Sequence, residues 1–213
     1  MNHSIRDRIF RDSASPLACI SSAALLIIAS DRLAHAIAVL GALVWVYCLS
    51  ALTARVGSGV FPQRGRTILL AFLCSFFAGL YLLLLWIFSP LCALQTFFVI
   101  SLIPMFCMTS GIFRQLETLS LENTLFTSFF DAVTLGALII IFALIREPLG
   151  FLSLSLPGGA RGIILLFSFD SESFLPVRLI AGSCGALLLL GYSLQLYRYL
   201  RKSYMSREDD NGY

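Results

Sequence analysis

The chain has 213 residues, of which 58% are hydrophobic and 13% charged, and its formal net charge is +3. A soluble domain of this length needs far more polar surface than a mean hydropathy of +0.88 leaves, so the composition excludes one and makes lipid the expected solvent. No basic patch interleaved with aromatics appears on a polar segment, which excludes a nucleic-acid partner.

Residues 1–15 carry Arg6, Arg8 and Arg11, and the apolar run behind them lacks a small-residue cleavage site. They read as a retained cytoplasmic segment rather than a signal peptide. The membrane domain is expected over 16–198 and a cytoplasmic tail over 199–213. A span needs about 20 apolar residues, and candidate segments run over about 16–30, 33–54, 67–88, 91–113, 125–145 and 175–197. None shows period-two alternation, so an outer-membrane barrel is excluded and an all-α membrane protein with six transmembrane segments is predicted.

The first segment is short. Its residues make about 22 Å of helix against a hydrocarbon core of about 30 Å. Ser15 is a good N-cap, Pro16 a good first helical residue, and Ser30-Asp31-Arg32 ends the apolar run, so a half-helix or re-entrant segment is expected. The fourth segment is interrupted by Pro104 and again by Thr109-Ser110-Gly111. In hydrocarbon a proline that frees a carbonyl is tolerated where protein or a cavity compensates, and transporters place sites at such breaks. Each half of the chain thus opens with an irregular segment and continues with two regular spans, and Ser15-Pro16-Leu17 and Ser89-Pro90-Leu91 begin the halves alike. Three is odd, so the second half enters from the opposite side. This predicts inverted repeats over about 16–88 and 91–198, with the first and fourth segments meeting near mid-membrane.

Charge sets the orientation. Arg6, Arg8, Arg11, Arg55, Arg64, Arg66, Arg114, Arg198, Arg201, Lys202 and Arg207 fall on one side, against Arg32, Arg146, Arg161 and Arg178 on the other. The positive-inside rule then places both termini in the cytoplasm. The connection over residues 151–174, with Pro157-Gly158-Gly159 and Asp170-Ser171-Glu172, would lie outside, where its length makes it the natural docking surface for an external partner.

The cysteines Cys19, Cys48, Cys74, Cys92, Cys107 and Cys184 lie in or at the ends of spans without CxxC spacing. This is no disulfide framework. Cys107 shares its segment with the proline break, while Cys48, Cys74, Cys92 and Cys184 read as small hydrophobes. Asp131 and Arg146 bracket the fifth span, where interfacial charges cost little and anchor a helix. Arg146 before Pro148 is also placed to cap the helix end, leaving Glu147 for a partner subunit. His35 reads as a satisfied interfacial histidine, and Gln95 and Gln195 as interhelical hydrogen-bonding groups. Phe72, Phe76 and Phe77 read as lipid or packing surface.

The run Phe130-Asp131-Ala132-Val133-Thr134-Leu135-Gly136, followed by Ala143-Leu144-Ile145-Arg146-Glu147-Pro148-Leu149-Gly150, resembles the fifth span of the small integral subunits of Rnf and Na-translocating NADH:quinone reductase complexes. Cys107-Met108-Thr109-Ser110-Gly111 is similar to the Cys-x-x-x-Gly of that family's fourth segment. The cytoplasmic N-terminus and the Arg-Glu-Pro-Leu-Gly ending resemble the E-type Rnf subunit or its D-type quinone reductase counterpart. The resemblance implies pairing with a homologous A-type subunit in inverted orientation, alongside the other subunits of the complex in the inner membrane. Each of the pair would contribute two cysteines to one two-iron two-sulfur cluster that relays electrons, coupled to Na+ or H+ transport. Cys107 would be one ligand, and Asp131, Arg146, Glu147 and Gly150 the motif positions. The family's first-segment cysteine corresponds here to Ala24 or Leu25, neither of which binds iron. Cys19 lies five or six residues upstream and could substitute if the segment shifted.

No nucleophile–base pair, phosphate loop or dinucleotide fingerprint occurs, so no free-standing catalysis is expected. The alternative reading is a small membrane transporter component that binds a substrate at the broken helices and has no redox role.

Overall fold

The computed structural model describes residues 23–57, 66–109, 121–158, 163–168 and 182–193, with the single positions 180, 195 and 199. Among these, α1 covers Ala23–Ala29, α2 Leu33–Val56, α3 Arg66–Phe88, α4 Pro90–Thr109 and α5 Leu121–Phe151. Strands β1 (Ser153–Pro157) and β2 (Ile163–Ser168) follow, and then α6, Ser183–Ser193. The four helices α2 to α5 are long and apolar enough to cross a membrane. Their bounds lie close to the predicted second to fifth spans. The start of the first segment with Cys19, most of the sixth segment's flanks, and Ser110-Gly111 fall outside the described residues.

Helix α2 is the centre of the bundle. It packs against α3, α4, α5 and β1, and its contact with α5 is the most extensive between any two elements. Alanines make this possible: Ala34, Ala36, Ala38, Ala42, Ala51 and Ala54 are all buried along it, and small residues let helix backbones approach closely where lipid offers no hydrophobic drive to associate. Gly136 of α5 marks the closest approach, since a Cβ there would lie 1.9 Å from Leu40 Cδ1 and 3.1 Å from Leu40 Cβ. Tyr81 of α3 crosses α2 at Gly41 and donates a hydrogen bond to the Ala38 carbonyl at 3.0 Å. His35 Nε2 and Gln95 Oε1, 3.2 Å apart, tie α2 to α4 as expected of an interhelical polar pair.

Helices α3 and α4 fold back on each other around Ser89. Ser89 sits between Phe88 and Pro90, its carbonyl accepting from Ala93 N–H at 2.9 Å, so the serine-proline start of α4 forms as anticipated. The outward face of α3 exposes Phe72, Phe76, Leu83, Ile87 and Phe88. An apolar surface of that extent needs a covering phase, and a bilayer supplies one. Helix α1 packs on α4 and, less extensively, on α2 and α5.

Three expectations are corrected. Pro104 does not interrupt its segment: α4 is continuous from Pro90 to Thr109 with Pro104 buried inside it. A proline removes one backbone bond, but in an apolar surrounding the neighbouring groups have no better partner than the helix itself. The fifth span likewise continues through Pro148 to Phe151. It ends at Leu152, whose φ of 52° is left-handed and whose N–H bonds the Pro148 carbonyl at 3.1 Å. Finally, the fold is not purely helical. The Ser-Leu-Ser-Leu-Pro of β1 pairs antiparallel with the Ile-Ile-Leu-Leu-Phe-Ser of β2, with a bulge between Leu154 and Ser155. The alternation that makes β1 a strand also turns Ser155 inward, fully buried.

Gly136→Ala is expected to destabilise the detergent-solubilised protein by about 1–3 kcal/mol through overpacking against Leu40, seen as a lower thermal unfolding midpoint. Gly79→Ala should leave the midpoint unchanged, because nothing lies within 4 Å of a Cβ at that position.

Candidate functional site

Two buried polar centres stand out in an otherwise apolar interior. The first lies at the C-terminal end of α5. Arg146 and Glu147 are 3% and 1% exposed, and they reach three other segments. Arg146 Nη1 donates to the Ile27 carbonyl at 2.7 Å and to Ser30 Oγ at 3.1 Å, and Nε donates to the Ile180 carbonyl at 3.1 Å. Asp31, half exposed, stands 3.9 Å from Nη2 and adds a weak ion pair. Glu147 Oε2 accepts the N–H of Leu33 at 2.8 Å. Adjacent residues on a helix point in different directions, which lets one pair serve the end of α1 and the start of α2 at once.

The need for these two side chains follows from helix-end chemistry. The last carbonyls of α1 and the first N–H groups of α2 have no intrahelical partners. Arg32 occupies the N-cap of α2 and makes no side-chain cap bond. Glu147 takes over the first of those N–H groups, and Ser155 Oγ accepts the second, from Ala34 at 3.4 Å. The signs also agree with the helix dipoles, a carboxylate at an N-terminus and a guanidinium at a C-terminus. Arg32 itself lies over the Phe151 ring, 5.4 Å from its centre.

The interfacial-anchor reading of Asp131 and Arg146 is therefore replaced. Helix α5 begins at Leu121, so Asp131 sits about 15 Å inside it and is buried. It continues a buried polar stripe through Thr124, Thr127 and Ser128, spaced three and four residues apart on one helix face. Glu147 is engaged within the chain and is not presented to a partner. Gly150 is buried in the last turn of α5.

The second centre joins three helices. Cys107 of α4 and Cys74 of α3 are 1% and 0% exposed, and they lie in one buried cluster with their thiols as neighbours across the α3–α4 hairpin. Ser50 and Tyr47 of α2 lie beside Cys74 and Cys107. The Ser50 hydroxyl also bonds the carbonyls of Val46 and Tyr47. Cys74 was not singled out by its sequence context. The signal available was hairpin length: Cys74 stands about four helical turns before Ser89 and Cys107 about five after it, which brings them level when the hairpin closes.

The residues were tested against a shared two-iron two-sulfur cluster, which normally takes four cysteine thiolates. Helix α1 carries Ala24 and Leu25 at the corresponding place, and Leu25 is buried in the same apolar cluster as Cys107. Cys107 is buried beside Cys74. Among the described residues no group of three or more histidine, cysteine or carboxylate side chains is placed to hold a metal. A cluster shared between two chains would take two donors from this one; Cys107 is one candidate, and Cys19 lies outside the described residues.

No protein-family model matches the chain, and no curated protein matches it significantly.

Arg146 and Glu147 are buried on the helix ends they serve, so truncating either strands a buried partner, a change costing about 3–5 kcal/mol when a buried charged contact is broken. Glu147→Ala and Arg146→Ala are each expected to lower the recovery of monodisperse protein in detergent. Glu147→Gln keeps an acceptor for Leu33 N–H and should be recovered close to wild type. Equal loss in the alanine and glutamine variants of Glu147 would show that capping is not its role.

Proposed function

We propose that this chain is an integral membrane subunit of an Rnf-like ion-translocating electron-transport complex in the bacterial inner membrane, working beside a homologous subunit of inverted orientation. The observation that carries the reading is the fit between the Arg-Glu-Pro-Leu-Gly motif and the architecture. Arg146 and Glu147, the motif residues, hold the end of the first element and the start of the central helix from inside the protein. A lone interfacial anchor would need neither contact.

Six membrane segments in two inverted three-segment repeats belong to the same proposal. Support comes from the packing of α1 on α4, the first element of the second half, and from the serine-proline start of that half. The distribution of arginine and lysine supports cytoplasmic termini. In this reading the chain is not catalytic alone. It contributes scaffold and moving helices, while nicotinamide, flavin or ferredoxin chemistry belongs to other subunits. The alternative, a substrate-binding transporter component, rested in part on a break at Pro104, where α4 is continuous.

The test is to tag the chain at its native locus, solubilise membranes in mild detergent and identify what co-purifies by mass spectrometry. A homologous multi-span subunit together with flavin- or iron–sulfur-bearing subunits is expected. Recovery with an ATPase and a solute-binding protein, or recovery of the chain by itself, would overturn the assignment.

A further inference from the structure

We infer that Cys74 and Cys107 form a reversible intrachain disulfide that staples α3 to α4 inside the membrane domain. The two sulfurs belong to neighbouring helices of one hairpin, and both are buried within the chain. The inference rests on the intrachain geometry and not on the identity of the complex.

Four observations converge. Both cysteines are in the thiol form and fully buried. They come from different, mutually packed helices of one hairpin and are neighbours in its buried cluster, so bond formation needs side-chain rotation and a small approach of two packed helices. The surrounding cluster, with Val46, Ala78, Ile103 and Phe106 also buried, is apolar. A disulfide, which has no donor to satisfy, suits such a setting at least as well as two S–H groups. Of the remaining described cysteines, Cys48 is half-buried, Cys92 is buried near the start of α4 and Cys184 is exposed.

The chemistry is a two-electron, two-proton exchange. Two thiols lose their hydrogens and one S–S bond forms. An oxidant of the quinone class, soluble in the apolar phase, accepts both electrons and both protons and leaves as the hydroquinone. A dithiol reductant reverses the reaction by thiol–disulfide exchange through a mixed disulfide. Because neither sulfur is exposed, reaction waits for local opening of the hairpin, and the expected timescale is minutes or longer.

The experiment uses full-length protein in lipid nanodiscs. It is treated with duroquinone, whose fully substituted ring has no position for thiol addition, then denatured and labelled with a maleimide-polyethylene glycol. The chain has six cysteines. Treated wild type is expected to lose two labelling sites and to regain them after dithiothreitol, with a cross-linked peptide containing residues 74 and 107. Cys74→Ser and Cys107→Ser should each keep every remaining site through the same treatment. Full labelling of treated wild type overturns the inference. So does a cross-link between any other two cysteines, or loss of two sites in either single variant. Should one serine variant fail to be recovered, peptide mapping of the wild-type protein alone decides between these outcomes.

Discussion

A helix that ends away from water must find partners for its last carbonyls or its first N–H groups within the protein, and Arg146-Glu147 meets that constraint for two helices at once. The end of α1 is held by the guanidinium and the start of α2 by the carboxylate. Removing water from these termini makes each bond more consequential, because an unmet backbone group in an apolar phase costs several kcal/mol. The hairpin of β1 and β2 completes the arrangement by bringing Ser155 to the next N–H. The strand pair in an otherwise helical chain thus has a definite task at the mouth of the central helix.

From that fixed end the rest of the bundle follows. Helix α2 is held in place at Leu33, runs past Gly136 with its alanine-lined surface, and arrives at Tyr47 and Ser50 beside the two thiols. Close packing there depends on small side chains more than on hydrophobic drive, since lipid is as apolar as the packed surface. Helix α3, by contrast, keeps bulky Phe, Leu and Ile groups on its outer face. Division of labour between the two helices is written in residue size: alanine and glycine where helices meet, phenylalanine and leucine where lipid would.

Much of the site was visible in the residues, but with the wrong surroundings. Arg146 and Glu147 were marked by the motif, and Arg146 was read as a possible helix cap. The helix it caps is α1, which hydropathy could not indicate because the contact joins residues far apart in sequence. Asp131 looked interfacial because a hydropathy window starts a span where the apolar run starts, whereas α5 begins earlier and carries its polar stripe inside the protein. Pro104 looked like a break because proline rules are written for helices that can exchange a lost bond for water.

Composition and apolar run length by themselves determined a helical chain suited to lipid and the approximate bounds of α2 to α5, because solvent matching acts residue by residue along each helix. Cys107 was already conspicuous in that reading. Tertiary structure alone decided that its companion is Cys74 and that Glu147 looks inward. It also decided that a two-stranded sheet closes the end of α2. These are pairings between helices, fixed by which faces meet, and a one-dimensional pattern of hydropathy carries no information about faces that meet across a hundred residues of chain.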